Sequence, residues 1–94
     1  MSARKELTIE QAIECLYKGK YIHVYRNAPF GLVGADWHRQ EVIKEFENAD
    51  KIEIGGEQCR AIGHGIVVIP KGAKKQRNLL FVECNDEKLE EYEK

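Results

Sequence analysis

Ile66-Val67-Val68-Ile69, an unbroken β-branched run closed by Pro70, is the stretch that most narrows what this chain can fold into. Branching at Cβ stiffens χ1 and favours extended backbone, and the run has no polar face, so it belongs in a central strand covered on both sides. Proline ends such a strand because it has no N–H to give a ladder. A central strand needs neighbours, and the chain supplies candidates. Tyr21-Ile22-His23-Val24-Tyr25 alternates with period two, placing Ile22 and Val24 on one face and Tyr21, His23 and Tyr25 on the other. Lys51-Ile52-Glu53-Ile54 and Glu57-Gln58-Cys59-Arg60-Ala61-Ile62 flank Gly55-Gly56, a connection that tolerates the positive φ of hairpin turns, so these segments are expected to pair. Leu79-Leu80-Phe81-Val82-Glu83-Cys84 reads as a last strand.

Helices are expected at three places. Thr8 and Gln11 have the spacing of a capping box, and Ile9, Ala12, Ile13 and Leu16 make one apolar stripe, giving a helix to about Lys18 with Gly19 as its left-handed stop. Asp36 is an expected N-cap for a second helix through about Glu47, with Trp37 and His38 in its first turn and Val42, Ile43 and Phe46 facing inward. Asn85 caps a short C-terminal helix in which Leu89 and Tyr92 pack loosely. Between the first strand and the second helix, Asn27 to Ala35 holds two glycines and a proline along with Phe30, Leu32 and Val33, and reads as either a folded-back loop or a short irregular strand. Short connections favour antiparallel pairing. The expected class is therefore α+β: an antiparallel sheet of roughly four or five strands in a hairpin meander, two helices packed on one face, and a short C-terminal helix.

Ninety-four residues suffice for a single α+β domain spanning 1–94 and not for two cores. At 43% apolar and 33% charged residues the composition is that of an ordered domain, and a net charge of −1 gives no global attraction to nucleic acid. The opening residues lack the apolar core of a signal peptide, and no run approaches the roughly 20 apolar residues that span a bilayer, so a cytoplasmic protein without membrane partners is expected. Cys15, Cys59 and Cys84 are widely spaced, without the close pairs of zinc ribbons or redox motifs, and read as reduced, mostly buried thiols. Asp36 with His38, and Cys59 with His64, lack the spacing of a zinc site; no metal and no cofactor are expected.

Lys71-Gly72-Ala73-Lys74-Lys75-Gln76-Arg77 crowds four cations into a polar loop between two apolar runs. Loops held between rigid strands concentrate binding residues, and cations so placed suit phosphates or carboxylates. Gly63-His64-Gly65 puts an imidazole in backbone that a ligand can approach, within reach of that loop if the strands pair as expected. The same features also describe a solvated loop whose lysines protect a sheet edge, and a plain turn histidine. The leading functional expectation is a non-enzymatic module binding an anionic ligand, a nucleotide or an acidic protein surface through His64, Lys71, Lys74, Lys75 and Arg77. No catalytic residue is assigned. A second expectation is an inhibitor of a host enzyme or defence protein that docks through Phe30 and Trp37, the alternative being that this apolar cluster lids a small core. A third is a small hydrolase or transferase with His64 as acid or base. Self-association into a homodimer is expected from size, since a short chain buries more surface that way.

Thr8-Ile9-Glu10-Gln11-Ala12-Ile13, Leu16 and Lys18-Gly19-Lys20, with the strand that follows, resemble the opening of short phage and prophage accessory proteins. Among these is the family that sequesters the nucleotide signals of the Thoeris defence system, although the Gly-Trp pair early in that family's strand is missing here. The resemblance implies a small accessory or inhibitory binding protein of mobile-element origin and carries over no functional residue.

Overall fold

A computed structural model describes residues 5–28, 30–55, 65–72 and 79–93. Along the chain run α1 (Ile9–Cys15), β1 (Tyr21–Ala28), β2 (Gly31–His38), α2 (Arg39–Glu47), β3 (Ala49–Gly55), β4 (Gly65–Pro70), β5 (Leu80–Glu83) and α3 (Asp86–Glu93). The strands form one antiparallel sheet in the order β2-β1-β5-β4-β3, so the class is α+β. β4 lies between β3 and β5, and Ile66, Val67 and Val68 are all buried, as the β-branched run requires.

One face of the sheet carries all three helices. Ile22 and Val24 of β1, Ile52 and Ile54 of β3, Ile66 and Val68 of β4, and Leu80 and Val82 of β5 pack there against Ala12 and Cys15, Val42 and Phe46, and Leu89. Leu89 is fully buried, not loosely packed. Its helix is held from both ends: the Asn85 side chain accepts from the Glu87 N–H at 3.0 Å, and the Tyr92 hydroxyl donates to Glu14 of α1. The opposite face holds a smaller buried cluster of Val67, Leu79 and Phe81, with Tyr25, Leu32 and Ile69 packed beside it.

Local capping chemistry survives in the fold. Gln11 N–H donates to Thr8 Oγ1 at 3.1 Å while Gln11 Oε1 accepts from the Thr8 N–H at 3.0 Å. The far end of α1 differs from expectation: it stops at Cys15, because Leu16 turns extended to bridge Cys84 and the Asn85 N–H donates to the Cys15 carbonyl at 2.8 Å. Gly19 contributes its positive φ of 136° to the turn into β1 instead of terminating the helix.

A further expectation is corrected. Residues 31–38 form a regular strand matched to β1 from Tyr21↔His38 to Ala28↔Gly31, so Asp36, Trp37 and His38 belong to β2 and α2 begins only at Arg39. A continuous ladder outweighs the capping preference of one aspartate. β3 pairs with β4, which matches Ile54 to Ile66 on one side, and the segment Lys5–Leu7 lies along its other edge. Residues 57–62 lie outside the described residues. No helix among the described residues is long and apolar enough to cross a membrane.

Candidate functional site

The β1–β2 hairpin stands at one end of the sheet and gathers the chemistry that is placed. Its register puts Tyr21, His23, Tyr25, Leu32, Asp36 and His38 on the face away from the helices. His23 Nδ1 donates to Asp36 Oδ1 at 2.7 Å across the ladder. The Tyr25 ring meets the His23 ring edge-on, with centroids 4.8 Å apart, and Tyr21 lies beside His38 at 4.9 Å. Gly34, opposite Tyr25, leaves the space these rings use: a Cβ there would fall 2.9 Å from His23 Nε2 and 2.9 Å from Tyr25 Cε1.

A histidine oriented by a carboxylate is two-thirds of a nucleophilic triad, which needs a hydroxyl or thiol within hydrogen-bond reach. The chain has one threonine and one serine, Thr8 and Ser2. Thr8 is spent on the α1 cap, Ser2 lies outside the described residues, and Cys15 and Cys84 are buried on the helix side. Burial, reinforced by Glu14 and Glu91 against an opposing pull from Lys88, pushes the Cys15 thiol up to about 11, far from a thiolate nucleophile. Cys59 also lies outside the described residues. Among the described residues no group of three or more His, Cys, Asp and Glu is placed to hold a metal ion.

The residues expected to bind a protein partner are separated. Phe30, at the hairpin apex, is 96% exposed, so it lids no core; Val33 is exposed as well. Leu32 and Trp37 turn inward, Leu32 toward the Val67–Phe81 cluster and Trp37 against the helix-side core, where the Arg26 guanidinium sits 5.0 Å over its ring. The length of β2, about 24 Å at strand rise, divides Phe30 from Trp37.

Of the residues expected to bind an anion, Lys71 is placed, exposed in the turn that follows β4. His64, Lys74, Lys75 and Arg77 lie outside the described residues. Gly65, the chain neighbour of His64, opens β4, and Lys71 follows its other end about 20 Å away at strand rise. β4 therefore runs between Gly65 and Lys71, and their approach through neighbouring strand ends is not seen.

Sequence reasoning put Tyr21, His23 and Tyr25 on one face but missed Asp36 as their partner. The missing signal was the turn, since once Ala28 pairs with Gly31 across two residues, every later partner follows, His23 with Asp36 among them. Together these features define a two-layer α+β protein, helices over one face of a five-stranded sheet, with a polar-aromatic patch and an exposed hairpin tip. Comparison with family models, curated proteins and solved structures returned no match.

Proposed function

We propose that the chain is a small non-enzymatic binding module that docks on a partner protein through the β1–β2 hairpin, with Phe30 as the anchor. The observation that carries this reading is the exposure of Phe30 at the apex of a fully laddered hairpin. A phenylalanine held in water on a rigid support gains roughly 1.5–3 kcal/mol when a partner covers it, without the entropy cost of ordering a loose loop. Val33, exposed on the same strand, extends the apolar contact. The His23–Asp36 pair, with the Tyr25 ring against its imidazole, gives the hairpin a polar-aromatic face beside the tip.

The test is a photo-reactive phenylalanine analogue at position 30, compared with the same analogue at the exposed Lys44 of α2. A discrete adduct formed at 30, absent at 44 and suppressed by excess wild type but not by excess Phe30→Ser, supports docking through the tip. Adducts alike at both positions, or suppressed equally by the variant, overturn it.

A second reading is favoured by Lys71, whose exposure beyond the buried strand β4 gives the basic loop a rigid origin. In this reading Lys71, Lys74, Lys75 and Arg77 take a nucleotide or another anion. Salt separates the two, because phosphate contacts weaken steeply with ionic strength while an apolar anchor does not. Pyrophosphate or nucleotide binding that fades between low and physiological salt, and is lost when the four cations become glutamine, supports it; binding unchanged by the substitutions removes the loop from consideration.

A further inference from the structure

The two outer edges of the sheet are treated differently. On the β3 side the edge is closed: Leu7 N–H donates to the Ile52 carbonyl at 2.8 Å and Ile54 N–H donates to the Lys5 carbonyl at 2.9 Å. A register irregularity between Ala49 and Lys51 and the charged Asp50, Lys51 and Glu53 add further protection. Covering, bulging and charging are the usual defences of an edge. Among the described residues β2 is given none of them. Its register is unbroken over eight residues, neither proline nor lysine occurs between Gly31 and His38, and its carboxylate is turned onto His23. α2 leaves β2 at Arg39 and packs against β2, β1, β4 and β3 on one face of the sheet, and six of the eight residues of β2 stay exposed.

Which backbone groups point outward follows from one bond. The Arg39 N–H donates to the Lys20 carbonyl at 2.9 Å, one step beyond the Tyr21↔His38 pair. Hydrogen-bonded and non-bonded pairs alternate in an antiparallel ladder, so Trp37, Ala35 and Val33 bond back to β1. The N–H and C=O groups of Leu32, Gly34 and Asp36, with the N–H of His38, whose carbonyl serves the first turn of α2, therefore point away from the sheet, along a strand of which only Leu32 and Trp37 are better than exposed.

We propose that a second copy of this chain pairs antiparallel with β2 about a two-fold axis at Ala35, joining the two sheets into one with all helices on the same side. The outward groups must bond one another, which restricts the centre of symmetry to a few residues. Centred on Asp36, two carboxylates would face each other directly, a destabilising arrangement. Centred on Gly34, the aspartate would face Leu32, and Trp37 would meet only Gly31. Centred on Ala35, Gly34 faces Asp36 of the other copy, Leu32 faces His38, the exposed Val33 meets Trp37, and two alanines meet at the axis with no bulk to hold the strands apart. Leu32, Gly34, Asp36 and the His38 N–H then exchange about six backbone hydrogen bonds across the axis.

A residue on a two-fold axis can cross-link only to itself, which makes a sharp test. Ala35 would sit in a non-bonded pair with Cα atoms about 4.5 Å apart, within disulfide range. Ala35→Cys should give a covalent dimer under mild oxidation at least about tenfold faster than Val33→Cys, whose opposite number is tryptophan. Wild type should sediment as a concentration-dependent dimer. Ala35→Lys, exposed in the single chain, should keep the circular dichroism of wild type while raising the dimer dissociation constant about tenfold or more, as edge lysines do. Wild type that stays monomeric to about 1 mM overturns the proposal. So does Val33→Cys cross-linking as fast as Ala35→Cys, or a β2 edge that takes up an added extended peptide while wild type stays monomeric.

Discussion

Tyr25 lies across Gly34 of the neighbouring strand, its Cε1 where the Cβ of any larger residue would come within 2.9 Å. The ring covers backbone that glycine leaves bare, and its edge holds the His23 imidazole against Asp36. Gly34→Ala forces both side-chain ends to swing outward, and because these are ends and not backbone the cost is moderate. A loss of about 1 kcal/mol in urea denaturation is expected, together with a changed His23 ring resonance as its contact with Asp36 opens. An unchanged resonance would show that the rings do not depend on the glycine.

Alkaline pH should weaken the fold through Cys15. Its folded-state pKa is raised from 9.0 to about 11, chiefly by burial, whereas in the unfolded chain it is not. The unfolded state therefore releases a proton first. Stability should be independent of this group below pH 9, fall between about 9 and 11, and level off above, with a total loss on the order of 2–3 kcal/mol. Tyr92, raised to about 12 mainly by its hydrogen bond to Glu14, adds a later decline from about pH 10. Denaturation midpoints of Cys15→Ala and Tyr92→Phe across this range separate the two; a profile of Cys15→Ala as steep as wild type up to pH 11 rules out the thiol.

Leu89 fixes α3 to the helix-side core, with no exposed surface. Leu89→Ala should cost about 2–5 kcal/mol, the range for a truncated core leucine. Chemical denaturation measures it, and a change below about 1 kcal/mol would mean that α3 contributes nothing to the core.

Trp37 is the only tryptophan of the chain, so its fluorescence reports on one place. Arg26, itself exposed, holds its guanidinium 5.0 Å over the Trp37 ring. Arg26→Ala should shift the emission to the red and lower stability by about 0.5–1 kcal/mol. Emission that stays put would mean the guanidinium does not shield the indole.

Features settled by close neighbours along the chain are legible in the residues alone: the Thr8–Gln11 box, the Asn85 cap, the alternation of Ile22 and Val24, and the β-branched centre of β4. Those settled at a distance are not. Cys15 ends α1 because Cys84 claims Leu16, Asp36 is a strand residue because β1 claims it, and β3 finds its partners in β4 and in Lys5–Leu7. Glycines at 31 and 34 blur the period-two signal of β2, and with it the partnership of His23 and Asp36. Phe30 escapes a reading by composition for a simpler reason: a side chain at the apex of a two-residue connection has nothing behind it to pack on.

If sheets pair through β2 as proposed, the clasp of Lys5–Leu7 over β3 sets their valence. A plate sticky on two sides grows without limit, since each newcomer brings a fresh sticky side, whereas a plate sticky on one side is finished after a single encounter. Stripping the residues ahead of Thr8 would return the Ile52 carbonyl and the Ile54 N–H to solvent and change the arithmetic from pairs to fibres. On the proposed pairing the segment before α1 would be a terminator of assembly, and a truncation or fusion there is expected to show first as turbidity and only afterwards as lost stability.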